Sequence, residues 1–174
     1  MDISELLAYF CNQKIINMHF DITEMTDFSG DEAHIYSVTL EDEEQTLLEQ
    51  FFEENKNYGD ELQSIASKLY VMGNTTGCRT HFFKHNEGVP GDGVAALRMG
   101  RLRLYCLYYD HTAVFFGSGG YKPPEICAYQ EDEVLNEKAS QMKEIARKIN
   151  QAIINKDIKI EEDGSLTINS WDYD

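Results

Sequence analysis

The hydrophobic positions near the start of the chain predict a β-hairpin. Residues 18–25 and 34–40 each alternate apolar and polar side chains with a period of two, as strands with one buried face do. The stretch between them, 27–32, is polar and contains Gly30. Residues 3–10, ahead of the hairpin, fit a short amphipathic helix and an edge strand equally well.

Two amphipathic helices are expected after the hairpin. The first should begin at Thr39 or Leu40, because Thr39 and Asp42 have the spacing of a capping box, and it should end between residues 55 and 59. The second is expected over about 60–73. Apolar residues three and four apart give each helix one buried face: Leu40, Leu47, Leu48, Phe51 and Phe52 in the first, and Leu62, Ile65, Ala66, Leu69 and Tyr70 in the second.

The middle of the chain predicts an antiparallel meander. Its strands are expected at 79–84, 94–99, 100–109 and 112–116, with a tight turn at Asp110 and His111 before the last. In the first strand, Arg79, His81 and Phe83 share one side.

Two glycine-rich segments interrupt this pattern. Residues 88–93 predict a mobile loop, and they lack the Lys-Ser/Thr ending that a phosphate-binding loop requires. Residues 117–124 predict a second loop, which joins the last strand of the meander to the next helix.

The end of the chain predicts one long helix and a small hairpin. Apolar residues follow the helical period throughout 131–153. Residues 158–160 and 166–168 then alternate on either side of an Asp-Gly step. Strands and helices segregate along the chain, so we expect one α+β domain over residues 1–174, with helices packed on an antiparallel sheet.

The composition indicates whether the protein binds metal and in which cellular compartment it is expected. The four cysteines form no C-x-x-C pair, so we expect no zinc site, and no pattern indicates another metal or a cofactor. The N-terminus lacks the basic region and long apolar run of a signal peptide, and no window approaches the roughly 18 apolar residues that cross a bilayer. A reducing cytoplasm is therefore expected, with no membrane association.

The charge of the chain is strongly asymmetric. The net charge of −16 opposes general binding to nucleic acid, and to DNA in particular, because phosphate contacts supply most of that affinity. The acidic N-terminal part, 1–77, has a net charge of −13, whereas 78–125 has +2. The acidic helices are either ordinary solvated faces or the counterpart of a basic central patch that carries the chemistry.

Candidate chemistry is concentrated in the predicted strand 100–109. Arg101, Arg103 and Tyr105 alternate along it and should lie on one outward face, with Leu102, Leu104 and Cys106 packed under the final helix. Such a face can bind a phosphate and stack a base. The alternative is a solvated sheet face, or a face whose arginines pair with the acidic helices.

Two further side chains are candidates. His81 titrates near neutral pH, as a general acid or base must, and Lys122 follows glycines that allow close approach to a phosphate. Both also fit structural roles, in a strand and in a connecting loop.

Three short runs precede the charged final helix: Arg101-Leu-Arg-Leu-Tyr105, Val114-Phe-Phe-Gly117 and Gly120-Tyr-Lys122-Pro123. Together with that helix, they resemble the C-terminal half of RelE/HigB-type toxins. The resemblance covers about 78–153. It implies a small α+β fold, metal-independent cleavage of mRNA on the ribosome, and an antitoxin partner. In that family the basic groups align RNA and stabilise charge, which suits Arg101, Arg103 and Lys122, with His81 or Tyr105 in proton transfer.

The chain also departs from that family. Its members are usually strongly basic and often have consecutive lysines where only Lys122 stands here. The alternative function is a non-catalytic acidic module that binds a basic protein or mimics nucleic acid. The toxin-like function requires an open cleft lined by Arg101, Arg103 and Lys122. The alternative requires that the acidic side chains of 41–61 form a continuous exposed surface and that the arginines are paired internally.

Overall fold

Eight strands and four helices are present in the computed structural model, which describes residues 2–16, 18–85, 93–126 and 132–171. The strands are β1 (Phe20–Glu24), β2 (His34–Leu40), β3 (Phe83–Lys84), β4 (Ala95–Met99), β5 (Leu102–Tyr109), β6 (Ala113–Tyr121), β7 (Ile158–Ile160) and β8 (Leu166–Ile168). The helices are α1 (Ile3–Ile16), α2 (Leu47–Glu54), α3 (Gly59–Val71) and α4 (Glu133–Ile154).

Six of the strands form one mixed sheet in the order β1-β2-β6-β5-β4-β3. Neighbouring strands are antiparallel except β2 and β6, which run parallel with His34 opposite Ala113 and Ser37 opposite Phe116. β7 and β8 form a separate antiparallel hairpin. The predicted α+β class, with helices on the sheet, a long C-terminal helix and a terminal hairpin, is confirmed.

Helices cover both faces of the sheet, and each face has its own hydrophobic core. One core joins α2 and α3 to the sheet through residues such as Leu48, Phe51, Ile65, Leu69, Leu97, Leu104 and Phe116. The other joins α4 to the opposite face through residues such as Leu135, Met142, Ile149, Tyr105, Leu107 and Phe115. Every strand in the middle of the sheet is therefore buried on both sides.

The start of α2 differs from the sequence prediction. β2 continues through Leu40, which pairs with Phe20 of β1, so Thr39 and Leu40 belong to a strand. The capping box is formed by Thr46, whose side chain accepts from the Glu49 amide at 3.1 Å while its own amide donates to the Glu49 carboxylate at 2.9 Å. The prediction of a cap at Thr39 was wrong because cross-strand pairing extends past that residue.

The predicted strand 79–84 is also mostly wrong. α3 is followed by a turn of π-helix at Met72–Thr76, and residues Thr80–Phe82 form a short 3-10 helix. Only Phe83 and Lys84 pair with β4. The prediction failed because alternation over six residues does not distinguish a strand from irregular backbone at a sheet edge.

The glycine-rich run 117–120 lies within β6 and not in a loop. A β-bulge places Leu104 opposite Gly119 but Cys106 opposite Phe116, so β6 has one extra residue at this point. A Cβ atom on Gly119 would lie 1.8 Å from the Arg103 carbonyl oxygen, and one on Gly117 would lie 2.6 Å from Met142 Sδ. Glycine is needed here because backbone and helix approach closely.

The remaining elements follow the predictions closely. α1 decides the open choice for residues 3–10 in favour of a helix, and the β1–β2 hairpin, α4 and the β7–β8 hairpin are confirmed. The terminal hairpin is fastened to the sheet by the Tyr36 hydroxyl, which donates to the Gly164 carbonyl oxygen at 2.8 Å. The predicted loop 88–93 lies, apart from Gly93, outside the described residues.

Candidate functional site

The face of β5 that carries Arg101, Arg103 and Tyr105 is largely buried. Tyr105 is fully buried in the core beneath α4, and Arg103 is only 4% exposed. Arg101, in the turn before β5, is exposed. The expected outward face was wrong because α4 covers it.

The opposite face of β5 packs on the other pair of helices. Leu102, Leu104 and Cys106 belong to the core that contains α2 and α3, and not to the core under α4. The prediction that this face packs under the final helix was therefore also wrong. A sequence pattern identifies which residues share a face, whereas the path of the chain decides which helix covers it.

The Arg103 guanidinium holds the turn between β4 and β5. Its Nη1 donates to the carbonyl oxygens of Gly100 and Leu102, each at 3.0 Å. Hydrogen bonds from a charged donor to buried carbonyls stabilise a fold more than neutral ones. These contacts give Arg103 a structural role.

Arg101, Arg103 and Lys122 lie at the same end of the sheet. The Lys122 amide donates to the Arg101 carbonyl oxygen at 2.8 Å, and Arg103 lies opposite Gly120 in the β5–β6 pairing. Lys122 is 8% exposed, so two of the three basic residues are buried. The structure thus brings the three together along the backbone, and it exposes one of them.

His81 lies at a different edge of the sheet. It is exposed in the 3-10 helix before β3, and its ring lies 4.5 Å from that of Phe82. β3 is separated from β6 by β4 and β5, so the two strands are about 14 Å apart at the usual strand spacing. His81 is not brought together with Lys122.

Two histidine pairs were not anticipated from the sequence. His85 Nε2 lies 2.5 Å from the Tyr108 hydroxyl, and Phe83 stacks on the Tyr108 ring at 4.4 Å. His34 Nδ1 lies 2.5 Å from Glu24 Oε1 across the β1–β2 hairpin. The hairpin prediction contained a signal for the second pair, because diagonal neighbours on paired strands approach each other. Nothing in the sequence indicated the first.

The acidic residues of 41–61 are exposed almost throughout. They lie on the loop before α2, on α2 and at the start of α3: Glu41, Asp42, Glu43, Glu44, Glu49, Glu53, Glu54 and Asp60. Two of them contact lysines, Glu53 with Lys56 at 3.1 Å and Glu54 with Lys138 at 3.5 Å. This stretch, which we call the acidic surface, is the largest concentration of like charge in the chain.

A cleft of about 690 Å³ lies between the β5–β6 turn, the end of α4 and the terminal hairpin. Its apolar lining includes Tyr109, Ile153 and Ile158, and Lys156 and Glu161 lie at its polar side. None of the five candidate residues lines this cleft. It is therefore separate from the predicted site.

Metal and thiol chemistry find little support in the described ranges. Within 2–16, 18–85, 93–126 and 132–171, no group of three His, Cys, Asp or Glu side chains is placed to hold a metal ion. Cys78 and Cys106 are buried free thiols, and burial raises the pKa of Cys78 to about 12 and that of Cys106 well above its usual value. Both are protonated at neutral pH and are therefore poor nucleophiles.

Comparisons with known proteins give no family for this chain. No protein-family model matches it, and neither the curated proteins nor the solved structures include a match. The similarity to RelE/HigB-type toxins therefore stays a prediction. Among the helices in the described part of the chain, none is both long and apolar enough to cross a membrane.

Proposed function

We propose that this protein is a non-catalytic interaction module whose acidic surface binds a basic partner protein. One observation carries the proposal. Arg103, Tyr105 and Lys122, three of the five residues a nuclease site would need, are buried, while the acidic residues of 41–61 face solvent. Buried groups cannot align RNA, whereas exposed carboxylates can attract a cationic surface.

The chemistry of the acidic surface favours a partner rich in lysine and arginine. A concentration of like charge on one stretch of chain raises the rate at which an oppositely charged protein associates with it. This attraction becomes weaker as salt screens the charges. The two buried free cysteines are compatible with a partner in a reducing cytoplasm. Binding should therefore be fast and strongly dependent on ionic strength.

Charge-matched variants test this proposal. A fluorescent deca-lysine peptide is titrated against the wild type, against Glu41→Gln/Glu44→Gln/Glu53→Gln, and against Glu133→Gln/Glu137→Gln/Glu162→Gln as the control. Both triple variants remove the same charge from exposed positions. The first should weaken binding by about tenfold and the control by much less. Equal weakening in both would mean that net charge alone attracts the peptide, and the proposal would then fail.

A toxin-like endoribonuclease is the second candidate. The arginine-bearing strand β5, the hydrophobic strand β6 and the helix α4 follow one another in the order that the resemblance implies, and Arg101, Arg103 and Lys122 share one end of the sheet. Its partners would be the ribosome with mRNA and an antitoxin. This function needs a movement that exposes Arg103 and Lys122.

Expression in bacteria separates the two candidates. A toxin should arrest growth and cut mRNA on ribosomes. Arg101→Ala should relieve both effects without unfolding the protein, because Arg101 is exposed. Arg147→Ala, at an exposed position on α4, is the control. Normal growth and intact mRNA with the wild type would support the interaction module.

A further inference from the structure

The first turns of α1 carry an apolar stripe that faces solvent. Its residues have the i, i+3, i+4, i+7 spacing of one helix face: Ile3, Leu6, Leu7 and Phe10. Their exposed fractions are 76%, 43%, 64% and 59%. Tyr9, 52% exposed, extends the stripe through an edge-on contact with Phe10 at 5.9 Å. Exposed apolar surface of this extent marks an interaction site.

The stripe belongs to a well-formed helix. The Glu5 amide donates to Asp2 Oδ1 at 2.8 Å, and the Asp2 amide donates to Glu5 Oε2 at 3.1 Å, so the two residues cap the helix start reciprocally. α1 is attached to the rest of the fold through α4. Residues 6–10 contain no charged side chain, so the apolar face is uninterrupted.

We propose that this stripe binds the same stripe of a second copy of the chain, as two antiparallel α1 helices about a two-fold axis. A two-fold interface requires a surface that complements itself, and a uniform row of Leu, Ile and Phe side chains does so. The four side chains of the stripe and Tyr9 each expose about 100 Å², so their complete burial in two copies removes at most about 1,000 Å² from water. That area reaches the lower limit of about 1,000 Å² for a specific interface.

The charge of the chain fits an antiparallel pair. Glu5 lies on the opposite side of the helix from the stripe, at 100° per residue, so its carboxylate faces away from the second copy. A two-fold axis at the centre of residues 3–10 separates the Asp2 carboxylates of the two copies by about 13 Å along the helix axes. This separation exceeds the Debye length of about 8 Å at physiological salt. The repulsion between copies is therefore weak where they touch.

A membrane is a poorer partner for the same stripe. Helices that lie in a bilayer interface are typically rich in lysine and arginine on their polar face, and residues 2–10 contain neither. The chemistry of the stripe and of its surroundings thus favours a protein surface.

Sedimentation equilibrium over a hundredfold range of protein concentration tests the dimer. The wild-type mass should rise from 20.0 kDa towards twice that value. Leu7→Glu and Phe10→Ser should each raise the dimer dissociation constant by about tenfold or more, the first by adding a buried charge and the second by removing apolar area alone. Val134→Glu, at a 58% exposed aliphatic residue of α4, is the matched control and should dimerise as the wild type does.

Several outcomes would overturn the dimer. A wild-type mass of 20.0 kDa at every concentration would do so, whether or not the protein then binds vesicles of phosphatidylcholine and phosphatidylserine. Unchanged dimerisation of Leu7→Glu and Phe10→Ser would place the interface elsewhere. A loss in Val134→Glu equal to that in Leu7→Glu would indicate non-specific association. Circular dichroism of each variant confirms that the fold is retained, so that each result reports on the interface.

Discussion

The Tyr36 hydroxyl donates a hydrogen bond of 2.8 Å to the carbonyl oxygen of Gly164, a residue 128 positions later in the chain. Tyr36 lies in the β2 strand of the main sheet, and Gly164 lies in the turn of the terminal hairpin. A second bond, from Trp171 Nε1 to the Phe20 carbonyl oxygen at 2.7 Å, fastens the segment after that hairpin to β1. Together they hold the end of the chain on the sheet.

Tyr36→Phe should lower the free energy of unfolding by about 1–2 kcal/mol, because the ring is retained while the Gly164 carbonyl loses its donor. Urea unfolding followed by circular dichroism measures this change. Tyr70→Phe, at a tyrosine that is 55% exposed, is the control and should have little effect. A wild-type stability for Tyr36→Phe would mean that packing alone holds the hairpin.

Stability should fall at alkaline pH because Cys78 is buried. Burial raises the pKa of this thiol from 9.0 to about 12, so the unfolded chain loses the proton first. The stabilisation is complete below about pH 9 and is lost as the pH rises towards 12, by at most about 1.4 kcal/mol per pH unit. Urea unfolding at a series of pH values should show a shallower decline for Cys78→Ala. Equal slopes would contradict the prediction.

Three glycines of β6 should differ in their tolerance of alanine. Gly119→Ala should lower the free energy of unfolding by about 3 kcal/mol or more, because the new methyl meets the Arg103 carbonyl, which is backbone. Gly117→Ala should cost about 1 kcal/mol, because the flexible Met142 side chain can move. Gly120→Ala meets only Leu135 Cδ2 at 3.5 Å and should be nearly neutral. Thermal unfolding of the three variants checks this order, and a reversed order would refute the bulge geometry.

Thr46, which caps α2, should contribute more to stability than Thr39, which does not. Thr46→Ala should lower the free energy of unfolding by about 1 kcal/mol, because the reciprocal bonds with Glu49 are lost. Thr39→Ala should cost less, since the Thr39 hydroxyl has only a 3.4 Å contact with that of Thr23. Chemical denaturation of both variants measures the difference. The reverse ranking would restore the cap at Thr39.

Substitution of the two arginines of the candidate site should change the free energy of unfolding by different amounts. Arg103→Ala should lower the free energy of unfolding by about 2 kcal/mol, because the buried Leu102 carbonyl and the partly buried Gly100 carbonyl lose a charged donor. Arg101→Ala should change it by less than about 0.5 kcal/mol, as exposed substitutions usually do. Differential scanning calorimetry provides the comparison, and equal effects would argue against the structural role of Arg103.

Local patterns were sufficient for much of the fold. The spacing of Leu135, Met142 and Ile149 predicts α4, and the Asp163-Gly164 step predicts the turn of the terminal hairpin, because each depends on residues close in sequence. The same is true of the β1–β2 hairpin. These elements have a single period and clear ends, so neighbouring residues specify them.

Other features depended on contacts between distant parts of the chain. Thr46 with Glu49 matches the capping box more closely than Thr39 with Asp42 does, and the pairing of Leu40 with Phe20 excludes a helix start at Thr39. Gly119 is compatible with a loop, and the bulge against Arg103 makes it part of a strand.

By itself, the sequence determined the α+β class, the long α4 helix and the alternation that puts Arg103 and Tyr105 on one side of β5. Only the tertiary structure decided whether that side meets water. α4 begins more than ten residues after β6 and returns across this face, which buries Tyr105 and most of Arg103. Burial is set by which distant element covers a face, and no pattern within the strand contains that information.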